Sequence, residues 1–174
     1  MYLNHSLVPG FPLTLRYGEE RDRALLADVF TEVWAEIPEG DRSAILARGY
    51  GCVTVDVLEK HGFQGLADMG GDIRLSRTEV DTYPHNVVAH IVARELAHKV
   101  DDFSHPSPVA RLKEPRQEAK RRVVSILERW GYPARAKPQY TPADEERIRA
   151  NAAKNPAENP GMPPDSSGPN PAVG

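Results

Sequence analysis

The residues best equipped for chemistry in this chain are Arg94, Glu95 and His98, in the stretch His90-Ile91-Val92-Ala93-Arg94-Glu95-Leu96-Ala97-His98-Lys99-Val100-Asp101-Asp102. On a helix, positions 94 and 98 stand one turn apart on one face, with 95 beside them. Two imidazoles at that spacing hold a zinc ion, and a Glu after the first of them acts as general base on the metal-bound water. The segment meets this His-Glu-x-x-His pattern everywhere except its first position, which is Arg94. Arginine is no zinc ligand, because its guanidinium stays protonated. His90 cannot substitute, since two turns of helix put it about 12 Å along the axis from His98. Asp102, one turn beyond His98, suits an orienting partner for the imidazole better than a ligand.

The elements that must position these residues follow from hydrophobic periodicity. Val88, Ala89, Val92, Ala93, Leu96 and Val100 share one broad arc of the helix, and His90, Arg94 and His98 form a second stripe flanked by Val87 and Ile91. Such a helix is buried on most sides, and its polar groups need partners. Pro84 opens it and Pro106 and Pro108 follow its end, which predicts a helix over 84–102. An earlier amphipathic helix runs from Glu19 to Pro38 on Leu25, Leu26, Val29, Phe30, Val33 and Trp34. A short one follows through Ala44–Ala47, capped by Asp41 or Ser43 and ended by Gly49. Strands are expected near 13, 53 and 74, with Cys52 a buried thiol in the second. Gly62–Gly71 reads as loop and the residues from there to Pro84, beyond the strand near 74, as a polar connection. A helix from Pro115 carries Ala119, Val123, Ile126, Leu127 and Trp130 and is capped by Gly131.

The expected fold is α+β: a small sheet packed on the 84–102 helix, with the 115–130 helix closing a cleft. One domain spans 1–135, a short polar helix or linker 136–154, and a Pro/Gly/Asn-rich tail, expected to be disordered, 155–174. The chain has 174 residues and one cysteine, which excludes an internal disulfide or a cysteine-built zinc site. No apolar run is long enough for a membrane span and the N-terminus lacks a secretory pattern, so a cytoplasmic location is expected. Residues 1–110 carry 10 Lys/Arg against 17 Asp/Glu, whereas 111–137 carry 9 against 3. The basic block is read as docking on the acidic body of its own domain; without interleaved aromatics, nucleic acid is not the expected partner.

The run Val87–His98 resembles the active-site helix of small cytoplasmic zincin-like metallopeptidases of the ImmA/IrrE kind, with the resemblance covering about 70–130. It implies a gluzincin-type site in which Glu95 is the catalytic base, His98 a zinc ligand, and Glu118 on the next helix the third ligand, with Glu114 the nearby alternative. The departure at Arg94 implies a fold that keeps the cleft and loses hydrolysis, Arg94 bridging Glu95 and Glu118 where a metal would sit. The expected partner is then a protein or peptide lying in the cleft, with no cofactor. Two alternatives stand beside this. One is an active zinc peptidase with Glu95 as base and His98, Glu118 and Asp102 or water around an atypical metal. The other is a structural adaptor whose Pro-rich tail recruits a partner. His85, His90 and His105 form a weaker metal candidate, and Tyr132 and Tyr140 read as packing residues.

Overall fold

A computed structural model describes residues 6–8, 11–16, 19–47, 52–56, 65–67, 73–104 and 114–154, with side chains placed over 19–47, 73–101 and 114–154. The tail 155–174, Gly49, Gly70-Gly71, His105 and the side chains of Cys52 and Asp102 lie outside these described residues. The fold is α+β. Its elements are β1 (Ser6–Val8), β2 (Phe11–Arg16), α1 (Glu20–Glu36), α2 (Glu39–Ala47), β3 (Cys52–Asp56), β4 (Gly65–Ala67), β5 (Ile73–Ser76), α3 (Arg77–Thr82), α4 (His85–Ser104), α5 (Arg116–Arg129) and α6 (Pro142–Lys154). The strands form one mixed sheet in the order β1-β2-β3-β5-β4. β2, β3 and β5 run parallel, and β1 and β4 pair antiparallel at the two edges.

Helix α4 is the element the others pack around, touching α1, α2, α5 and β4. Its apolar arc is buried as the periodicity predicts: Val92, Ala93, Leu96 and Ala97 have no exposure. α1 answers with Leu26, Val29, Phe30 and Val33, which recur every three or four residues and are also fully buried. Each large side chain buried here contributes about 1.5–3 kcal/mol. Ala89, Ala93 and Ala97 repeat every fourth residue, and their small size lets neighbours approach the α4 backbone closely.

Four features differ from expectation, the first being β1, which precedes every expected strand and pairs with β2. β4 lies in the stretch read as loop; Gly-Leu-Ala has little strand propensity, and its pairing with β5 makes it a strand. α3 occupies the expected polar connection, where Val80 is the single buried apolar residue, too few to give a period. It is held by charge instead: Arg77 makes a two-point bond to the buried Asp22 on α1 at 2.7 and 2.8 Å, and also pairs with Asp81. α2 begins at Glu39, so Asp41 lies within its first turn and is no cap; its carboxylate accepts from Trp130 Nε1 and Arg129 instead. α6 is the expected polar helix, and it packs on α3 through polar contacts. Arg147 donates to the carbonyls of Val80 and Tyr83, and Asn151 to that of Asp81.

Among the described residues, no helix is long and apolar enough to cross a membrane.

Candidate functional site

The start of α4 is satisfied by groups from two directions. The Pro84 carbonyl accepts from Val87 and Val88, and Asp144 Oδ1 accepts from the His85 N–H at 2.9 Å. Oδ2 of the same carboxylate accepts the Thr141 N–H and hydroxyl at the start of α6, so Asp144 caps two helix N-termini. Burial by itself would raise its pKa. The N–H groups of Thr141 and His85, the Thr141 hydroxyl and Arg147 outweigh that, and the carboxyl is held below its ordinary range.

Helix α5 lies antiparallel to α4, pinned at both ends of the pair. Near the end of α4, Arg122 donates to both oxygens of Asp101 and to Glu114. These carboxylates, Glu114 first, push the Arg122 pKa upward. At the other end the chain leaves α5 through Gly131 at φ +84. The Gly131 and Tyr132 N–H groups close on the carbonyls of Glu128 and Leu127, the double bond pattern that ends a helix with a left-handed residue. This turn brings Pro133 over α4, where His90 Nε2 donates to its carbonyl at 2.7 Å. Tyr132 meets the His90 ring edge-on.

Between α4, α5 and residues 134–138 lies a cleft of about 660 Å³. Val87, His90, Ile91, Arg94 and His98 line it from α4, at the three- and four-residue steps of a single helix face. Arg116, Ala119, Lys120, Val123, Val124 and Leu127 line it from α5, and Tyr83, Ala134, Arg135, Ala136 and Pro138 complete it. Among the described residues, every lining side chain with a fixed charge is a cation. The pinning contacts set their order. Arg94, His98, Arg116 and Lys120 lie toward the Asp101 end, and Tyr83, Val87, Ala134, Arg135, Ala136 and Pro138 toward the Pro133 end.

The sequence candidates fall into separate groups. Arg94 and His98 share the cleft, as their spacing predicts. Arg94 meets Glu95 Oε1 at 3.3 Å while its side chain stays 31% exposed; the Glu95 side chain is 4% exposed and does not line the cleft. Glu118 is exposed on the first turn of α5 and is also absent from the lining, so the expected bridge from Arg94 reaches Glu95 and not Glu118. The physical reason is the rotation of α5: burial of Val123, Ile126 and Leu127 together with the Arg122 ion pairs turns position 118 away. Glu114 is held by Arg122, His90 by Pro133, and His85 by Glu32 at 2.6 Å. The side chain of Asp102 lies outside the described residues.

Among the described residues, no three His, Cys, Asp or Glu side chains gather to hold a metal ion. The described His, Asp and Glu side chains do not by themselves make up a three-ligand zinc site; the Asp102 side chain and His105 lie outside them. The four fixed cations that line the cleft attract anions.

Sequence reasoning did not single out Arg116, Lys120 and Arg135. The signal was the basic block 111–137. Only part of that block docks on acidic groups: Arg122 on Asp101 and Glu114, and Arg129 on Asp41. Arg116, Lys120 and Arg135 form no ion pair among the described residues and face the cleft. No protein family, curated protein or solved structure matches the chain.

Proposed function

We propose that this chain is a zincin-like domain in which a guanidinium stands at a metal-ligand position, and that its cleft binds a segment of a protein partner without hydrolysing it. The observation that carries the reading is that Arg94 and His98, one turn apart, open on the same cleft while Arg94 is paired with Glu95. The residue that would activate a metal-bound water is thus engaged by the cation standing in for a ligand. The layout of sheet, buried helix and following helix supports the zincin-like part of the reading, as does the antiparallel edge strand β4 in contact with α4. An edge strand is where an extended peptide adds to a sheet.

The test is zinc content of the purified protein beside Arg94→His and His98→Ala. The expected result is no stoichiometric zinc in the parent and a zinc site in Arg94→His, where two imidazoles stand one turn apart. No gain of zinc in Arg94→His, with the fold intact, would count against a converted metal site. One zinc per chain in the parent, lost in His98→Ala, would establish the alternative of an active zinc peptidase.

A further inference from the structure

We infer that the segment accepted by the α4–α5 cleft is acidic: a short extended peptide whose carboxylate side chains meet the cations around Arg94 and Lys120 and whose apolar side chains lie along Val87, Ile91 and Leu127. This rests on the peptide-binding reading above and specifies its ligand. Two independent features of the cleft carry it.

The first is charge. Arg116 and Lys120 stand one turn apart on α5, exposed and without ion pairs among the described residues, and they flank the cleft opposite Arg94 and His98. Arg77, Arg122 and Arg129, by contrast, are neutralised: Arg77 by Asp22 and Asp81, Arg122 by Asp101 and Glu114, Arg129 by Asp41. Fixed cations crowded together without counter-charges repel one another, and an arriving carboxylate relieves that repulsion. Guanidinium groups add geometry, because a carboxylate bonds them at two points.

The second is the apolar remainder. Val87, Ile91, Val123, Val124 and Leu127 give the rest of the cleft a surface that gains from covering apolar side chains. The α4 face from Val87 to His98 is about 16 Å long at ~1.5 Å per residue, which accommodates about five residues of extended chain at ~3.3 Å each. The occupant therefore combines acidic residues against Arg94, Arg116 and Lys120 with apolar residues against the aliphatic wall, and Arg135 adds a further cation at the Pro133 end. A nucleic acid would need stacking surfaces beside the phosphate contacts, and Tyr83 is the single Phe, Tyr or Trp side chain among the described lining residues.

The experiment measures fluorescence anisotropy of the full chain with fluorescein-labelled, C-terminally amidated Glu-Glu-Leu-Val-Leu and its reverse. The same pentapeptides with Gln or Lys in place of Glu serve as comparison. At least one acidic orientation is expected to bind tenfold or more tighter than its Gln counterpart in low salt, and to lose most of that advantage at high salt. In the Arg116→Glu/Lys120→Glu variant, altered only at exposed positions, the preference should pass to the Lys peptide. Arg121→Glu, on the same helix but outside the cleft lining, should bind as the parent does. Equal binding of Gln and Glu peptides would overturn the acidic ligand while leaving peptide capture standing. No binding by any peptide would overturn both. An equal loss of binding in Arg121→Glu would overturn the cleft as the site in favour of diffuse attraction to α5. Binding of dansyl-undecanoate without any peptide would make this a site for small amphipathic anions and overturn the proposal.

Discussion

Asp144 ties the starts of α4 and α6 together, and its removal gives a sharp prediction. The carboxylate accepts the His85 N–H at the start of α4 and the Thr141 N–H and hydroxyl at the start of α6, and its residue is 4% exposed. A hydrogen bond to a charged group contributes about 1.5–3 kcal/mol, and loss of an N-cap costs about 0.5–2. Thr141 is exposed and regains water when the carboxylate is gone, so its share is small; the His85 N–H has less access to solvent. Asp144→Ala should therefore lose about 2–3 kcal/mol. In urea, with a slope of ~2 kcal/mol per molar, the midpoint falls by roughly 1–1.5 M. The effect also has a signed pH dependence. The folded pKa lies below the unfolded value of ~3.9, so the stabilisation is fully present above about pH 4 and is lost as pH falls through the folded pKa. Asp144→Asn keeps the shape and one acceptor oxygen. Its deficit against the parent should be level between about pH 7 and 5 and shrink below about 4. Urea unfolding followed by circular dichroism across that range is the assay. A loss under about 0.5 kcal/mol in Asp144→Ala, or an Asp144→Asn deficit unchanged at pH 2, would refute the double-cap reasoning.

Other perturbations test the supports around the cleft. Arg77→Met leaves the buried Asp22 carboxylate without its two-point partner and should destabilise by about 3–5 kcal/mol, whereas Arg77→Met/Asp22→Leu should recover much of the loss; urea midpoints decide. Gly131→Ala meets no atom within 4 Å, so its cost is the left-handed backbone alone, about 1–2 kcal/mol, with Gly131→Asn cheaper in the same assay. The Tyr132 hydroxyl is buried with no hydrogen-bond partner among the described residues. Burial, then Glu32 and Glu36, pushes its pKa up to about 12, which ultraviolet titration should show. Tyr132→Phe should be neutral or stabilising by about 1 kcal/mol, and a clear loss would mean that the hydroxyl has a partner.

Local periodicity by itself determined α1, α4 and α5 and the face on which Arg94 and His98 stand. A period of 3.6 fixes which residues of one helix are neighbours, and the apolar arcs of α1 and α4 were long enough to fix their phase. Gly131 and Pro115 marked the ends of α5 because backbone freedom and the missing N–H are local properties. β4 and α3 were not legible: one becomes a strand by pairing with β5, and the other is held by ions from α1, partners distant in sequence. Glu118 shows the same limit inside the site. Sequence put it on the next helix, but the rotation of that helix follows from Val123, Ile126 and Leu127 meeting α4 and from Arg122 meeting Asp101, contacts that exist only once the chain is folded. The same rotation gathered Arg116 and Lys120 opposite Arg94, turning part of the basic block 111–137 into a charge on the cleft.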